Sequence, residues 1–251
     1  MILRRVIAHF RKQEWTAIAI DFVIVVLGVF VGMQVNNWNE ARHDEARRRV
    51  YSERLESDFE GIRARIGEHL RIFEEAVEGG DYILSVISAS EAELGEMAID
   101  KQRMGRAFDR ITSNRIPPPT AATYAEMVSE GQLSRLIEPT LRNRLVEYDR
   151  LLGVVQEVSR NITDATYQSL PVLYRYFDTR TVSDDSALSG IREDVSSFDV
   201  AGMRSDREFA VAVNLMRRNA LNSLQQRQIQ MTRIDEILAL LNADKAEEER
   251  S

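Results

Sequence analysis

Between residues 17 and 35 the chain carries nineteen residues of which only Asp21 and Gln34 are strongly polar. At 1.5 Å per residue the run covers the roughly 30 Å of a bilayer's hydrocarbon core. Past residue 38 the pattern changes from uniformly apolar to striped. Val50, Leu55, Phe59, Ile62, Ile66, Leu70, Phe73 and Val77 recur mostly every three or four residues, which predicts an amphipathic helix. It is expected to stop near residue 78, before the breaker pair Gly79-Gly80, with NNWNE as a weaker break where it leaves the apolar run.

A second helical stretch is expected from Asp81 to about Asn114, with the capping-box patterns Ser88/Glu91 and Ser90/Glu93 able to restart it. Pro117, Pro118 and Pro119 form a hard stop. Thr123 with Glu126 caps a short helix ending near Gly131, and Pro139 suits the first turn of the next. Leu141, Leu145, Tyr148, Leu152, Val155, Ile162 and Ala165 keep a near-heptad spacing up to Pro171. Residues 179–205, rich in Ser, Asp and Gly, read as a long loop. Ser205 with Glu208 caps a last helix striped by Phe209, Val213, Met216, Ala220, Leu224, Met231, Ile234, Leu238 and Leu241.

These elements predict an all-α chain: one N-terminal transmembrane helix, then an antiparallel helical bundle of about four long helices. The expected divisions are a basic tail (1–15), the membrane helix (16–37), the bundle with a long amphipathic first helix (38–243) and a frayed acidic tail (244–251). An open helical hairpin completed by a second copy of the chain would cover the stripes as well.

The apolar run has three readings. A buried core helix is rarely apolar on all sides for this length. A cleaved signal peptide needs small residues at its cut, and GMQVNNWNE offers no A-x-A-like site. An uncleaved anchor fits. Trp15 and Trp38 lie 23 residues apart, about 35 Å on a helix, and are the expected headgroup-level anchors. Gly28 and Gly32 form G-x-x-x-G, and Asp21 falls on the same helical face. Asp21, Gly28 and Gly32 are therefore the candidate helix–helix interface in the membrane. In the alternative, Asp21, about 9 Å along the helix from Trp15, reaches the headgroups and the glycines are incidental.

The string IVVLGVFVGMQVNNWNEAR, preceded by Asp21, resembles the N-terminal signature of a domain-of-unknown-function family of bacterial single-pass membrane proteins. In that family an acidic residue precedes an apolar run closing in QINNWNE; Gln34, Asn36, Asn37, Trp38, Asn39 and Glu40 match, with Val35 for the isoleucine. The stretch TYAEMVSEGQLSRLIEPTLRNRLVEYDRLL, Thr123 to Leu152, resembles the family's T-Y-E-E-L-x-x-S-G-x-L segment followed by a helix. The N-terminal flank is less lysine-rich than the family pattern. The resemblance implies a membrane anchor and a helical body, and no activity.

Charge and composition narrow the chemistry. Residues 1–50 hold eight Lys/Arg against five Asp/Glu, and the other 201 hold 25 against 35, a net +3 joined to a net −10. An acidic body argues against nucleic acid as a partner. Cysteine is absent, so thiolate chemistry and disulfides are excluded. His43 in a lone E-x-x-H lacks the second pair of a di-iron site, His69 is expected at the surface or its boundary, and Asp184-Asp185 reads as a loop pair. His9 lies in the tail. Arg47, Arg48 and Arg49 suit lipid headgroups or a solvated face. Tyr167, Tyr174, Tyr176 and Phe177 surround Pro171 and either line a small-molecule pocket or plug the bundle end as core.

No catalytic residue, metal or cofactor is expected. The partners expected are membrane lipid and either a second copy or another membrane protein. The leading expectation is a non-enzymatic membrane-anchored module acting through protein contacts in a bacterial inner membrane; the rival is an extracytoplasmic ligand-sensing bundle with a separate signalling partner. Basic residues tie across the two flanks, at four each, and long domains translocate largely regardless of charge. The N-terminus is expected in the cytoplasm and the body outside. With no native thiol, Ile2→Cys and Ser186→Cys can each be labelled alone. The body position should react with an impermeant maleimide before lysis and the tail position only afterwards; the reverse order would invert the topology.

Overall fold

A computed structural model describes residues 15–113, 116–183 and 191–248. The tail residues 1–14 with His9, and Asp184, Asp185 and Ser186, lie outside the described residues, as do the side chains of Trp15 and Asp21. The elements are α1 (Trp15–Ser88), α2 (Glu91–Glu96), α3 (Lys101–Thr112), α4 (Ala122–Ser129), α5 (Leu133–Leu136), α6 (Pro139–Tyr174), β1 (Phe177–Ser183), β2 (Ile191–Phe198), α7 (Val200–Ser205) and α8 (Arg207–Glu248). The chain falls into two compact units, Met1–Glu53 and Arg54–Ser251.

The first unit is helical throughout its described part, and α1 does not break at NNWNE. Its apolar side chains from residue 22 to 35 are exposed, and this is the one helix among the described residues long and apolar enough to cross a membrane.

In the second unit three long helical segments pack together: α1 from Arg54 onward, α6 and α8. Three ion pairs index α1 against α8: Glu56 with Lys245, Arg63 with Asp235 at 2.7 Å, and Asp81 with Arg217. As one number rises the other falls, so the two helices are antiparallel over about 37 Å. Helix α6 runs parallel to α1, with Phe59 edge-on to Tyr148 at 5.4 Å. It runs antiparallel to α8, where Arg144 reaches Glu236 and Thr166 neighbours Asn219. The predicted stripes meet here: Leu55, Phe59, Ile62, Ile66 and Phe73 are buried with Leu145, Leu152, Val155, Val213, Met216, Ile234 and Leu241.

Several expectations are corrected. The chain is not all-α: β1 and β2 form an antiparallel two-stranded sheet that starts just before the expected loop 179–205 and, with α7, occupies much of it. Phe177 and Val195 turn inward from it, and Phe177 faces Phe198 across the ladder. Helix α1 passes through Gly79-Gly80 to Ser88. A Cβ on Gly79 would lie 2.9 Å from the Ala107 carbonyl oxygen, and one on Gly80 2.9 Å from the Arg217 Cβ. These glycines admit α3 and α8 close to α1, and that packing outweighs their poor helix propensity, about 1 kcal/mol each. The expected second long stretch from Asp81 is thus the end of α1 followed by short α2 and α3, and Ser90 with Glu93 is the capping box that forms. Pro171 sits inside the last turn of α6 instead of ending it.

Two predicted caps are replaced by others. The start of α4 has no side-chain cap of its own; Asp58 on α1 accepts from the Thr123 N–H at 2.8 Å, while Glu126 pairs with Arg54. At α8 it is Asp206, not Ser205, that accepts from the Glu208 N–H, at 2.8 Å. Pro139 opens α6 as predicted, and Gly131 takes the left-handed φ of 67° after α4.

The glycines separate into tight and open ones. Gly79→Leu should destabilise the protein by about 2–3 kcal/mol, because the neighbour at Ala107 is backbone and cannot yield. Gly61→Ala and Gly153→Ala meet nothing within 4 Å and should each stabilise by about 0.5–1 kcal/mol. Urea unfolding measures all three; equal effects at Gly79 and Gly61 would remove the close-approach account.

Candidate functional site

Gly28 and Gly32 are helical, and a Cβ built on either meets nothing within 4 Å. Their apolar neighbours Val25, Val29 and Val35 are exposed at 64%, 59% and 59%. Trp38 is also exposed, with the Arg42 guanidinium 4.7 Å from its ring centroid. An indole under a cation offers an apolar body and a charged tip, which suits the headgroup level of a bilayer.

The aromatic group does not come together as one lining. Tyr174, Tyr176 and Phe177 pack into the core: Tyr174 stands edge-on to Phe108 at 5.1 Å, Phe177 lies 4.1 Å from Phe108, and Tyr176 is edge-on to Phe209 at 5.3 Å. Tyr167, 67% exposed on another face of α6, lines a separate shallow hollow with Ile116 and Pro117. The Tyr176 hydroxyl donates to Asp206 at 2.7 Å, and Arg175 reaches the same oxygen at 2.8 Å. The Tyr176 hydrogen bond, with the Glu208 and Phe209 amides and Arg175, holds the Asp206 carboxyl below its ordinary value. Tyr174, Tyr176 and Phe177 therefore hold the sheet and the start of α8 against α6.

A polar layer crosses the core of the three long helices. Arg227 is 1% exposed and donates from Nη1 to the side-chain Oε1 of Gln230 at 2.9 Å; its guanidinium also lies 5.9 Å from the Phe73 ring centroid. Tyr148 of α6 contributes its hydroxyl beside Gln230, and His69 is buried on the inward stripe of α1. The expectation of a surface His69 is corrected: residues 66, 69 and 73 share one face of α1, and that face is covered. His43 is exposed.

Arg227 and Gln230 were missed because a stripe is read from its apolar members. A signal existed: Arg227 stands on the α8 stripe, three residues after Leu224 and four before Met231. Burial pushes the Arg227 guanidinium down to about 10, against the pull of Tyr148, and pushes the Tyr148 hydroxyl up to about 12, against the pull of Arg227 and Gln230. Chemically this is a positioning layer. A buried guanidinium penalises any slip of one helix along another that would leave it in apolar surroundings.

Comparison with protein-family models, curated proteins and solved structures finds no match to the chain.

The two shifts act between pH 10 and about 12 with opposite signs. A guanidinium that gives up its proton more readily when folded adds stability as pH rises above 10. A phenol that keeps its proton to about 12 loses stability over the same span. Arg227→Met should therefore hold or raise stability at pH 7, since an apolar side chain of similar volume replaces a buried charge, and should steepen the loss above pH 10. Tyr148→Phe should flatten that loss. Urea midpoints from pH 8 to pH 11 compare the variants with the parent; parallel curves would mean that neither group titrates as its burial requires.

Proposed function

We propose that the protein is a non-enzymatic, membrane-anchored helical module that works through protein contacts, as a homo-oligomer or as an accessory subunit of a membrane complex. One observation carries this reading: the apolar helix presents a G-x-x-x-G face on which a Cβ meets nothing within 4 Å. Helices in lipid associate by close backbone approach at small residues, and two exposed glycines four apart offer that approach. Asp21 shares the face by sequence position and would supply a polar contact across it.

The rest of the proposal follows from the anchor. The membrane is the bacterial inner membrane, with the N-terminus in the cytoplasm and the body, read as a helical bundle, on the far side. The resemblance of residues 34–40 to the closing pattern QINNWNE supports the anchor and the helical body. Trp38 with Arg42 sits at the headgroups, followed by Arg47, Arg48 and Arg49.

Purification of the full-length chain in mild detergent, with the mass of the complex and its protein composition, tests the proposal. A species at a multiple of 28.7 kDa means self-association, and a stoichiometric second protein means an accessory subunit. Gly28→Ile combined with Gly32→Ile should reduce either complex to the single chain. A lone parental monomer, or a complex indifferent to the two isoleucines, would remove the glycine face as the contact.

A further inference from the structure

Helix α3 reads KQRMGRAFDRIT: four basic residues and one acid within an acidic body. Met104, Ala107, Phe108 and Ile111 are buried, so α3 is firmly seated. Its seat is unusually close, because Gly79 of α1 lets the Ala107 backbone approach directly. Two helices crossing at their backbones leave no room between them for long side chains. Arg103, Arg106 and Arg110, spaced three and four apart, emerge around that crossing. They line a hollow of about 460 Å³ together with Glu75, Glu78 and Tyr82 of α1.

The three guanidiniums are not equivalent. Arg110 is held by Glu75 at 2.6 Å, and Glu75 is also gripped by Arg71 at 2.5 Å. Arg103 lies over the Tyr82 ring, 4.1 Å from its centroid, so its orientation is set by a ring face that leaves its N–H groups available. Arg106 is exposed and also lines a second hollow with Lys101 and Arg180. Glu75 is already matched by Arg71 and Arg110. The hollow therefore offers Arg103 and Arg106 against a single rim carboxylate, Glu78.

We propose that this hollow is a binding site for a small oxyanion ligand, a molecule carrying carboxylate or phosphate groups, held by Arg103 and Arg106. Guanidinium forks match both groups in geometry, and the volume suits a small organic anion. The site lies in the body and is independent of the glycine-face contact, so either proposal can fail alone.

The test is calorimetric titration of the full-length protein in mild detergent with citrate and with inorganic phosphate, at ionic strength held constant with sodium chloride. Saturable binding near one per chain is expected for at least one of them; citrate alone assigns carboxylates, and phosphate alone assigns phosphate. Arg103→Gln with Arg106→Gln should weaken binding at least tenfold while leaving the melting temperature unchanged, since both side chains are exposed. Tyr82→Leu should weaken it several-fold without altering any charge. Glu75→Gln should tighten it by releasing Arg110. Arg144→Gln on α6 should leave it unaltered. No saturable heat with either anion, or equal binding by the double variant, overturns the proposal.

Discussion

The body depends on burial of the apolar stripe of α1 between Leu55 and Val86, which α6 and α8 cover along its length and α3 near its end. Each large side chain on that seam contributes about 1.5–3 kcal/mol by leaving water, so the seam outweighs any polar interaction in the unit. The flanking ion pairs, Glu56–Lys245, Arg63–Asp235 and Asp81–Arg217, are partly exposed and worth about 0–1 kcal/mol each. Their use is alignment. An apolar stripe of repeating Leu, Ile and Phe tolerates a slip of one turn, whereas the charge pattern and the buried Arg227 layer do not.

With the long helices set, the shorter elements are secured by groups that the long ones lend. Asp58 of α1 supplies the acceptor that α4 lacks at its start. Arg204, just before α8, donates to the Ala89 carbonyl at 2.5 Å where α1 ends. Asp206 gathers Tyr176, Arg175 and the first amides of α8. Backbone groups at helix ends must find partners, and here many find them on another element. The short helices and the sheet are therefore not independent units, and their stability is tied to that of the α1–α8 seam.

This division explains what was legible. The stripes of α1, α6 and α8 follow from local spacing, and their predicted members Phe59, Ile66, Leu145 and Met216 are buried. Pro139 at the start of α6 is also a local signal. The tertiary features were not visible. Gly79-Gly80 looks like a breaker until Ala107 and Arg217 are brought against it. Thr123 looks like a cap until Asp58 supplies a better acceptor from a distant turn. The strand pair was hidden by its Ser and Asp content, although the β-branched and aromatic positions 177, 179, 181 and 195 carried a weak strand signal. Of the candidate site, Gly28 and Gly32 keep an open face, whereas the aromatic group splits because Tyr167 falls on another side of α6 from Tyr174.

The glycines show how far a single residue type can be carried. Gly79 and Gly80 are each filled by a neighbour, whereas Gly61 and Gly153 face open space with no sign of a partner. An open glycine is thus no argument for an interface by itself. Gly28 and Gly32 differ in two respects: they recur at one helical turn, and every large apolar side chain around them is exposed. In water such a surface would be covered by apolar side chains and would drive association unselectively. In lipid that drive vanishes, since acyl chains cover apolar surface as well as a neighbouring helix does. What remains to favour one contact over another is close packing. In the proposed contact, a groove cut by two glycines, with an acid about two turns before the first of them in sequence, would bring close packing and a polar contact onto one face. On that proposal, the same substitution, glycine to a bulky residue, would disrupt for opposite reasons: at Gly79 because the space is taken, at Gly28 because a partner helix would need it.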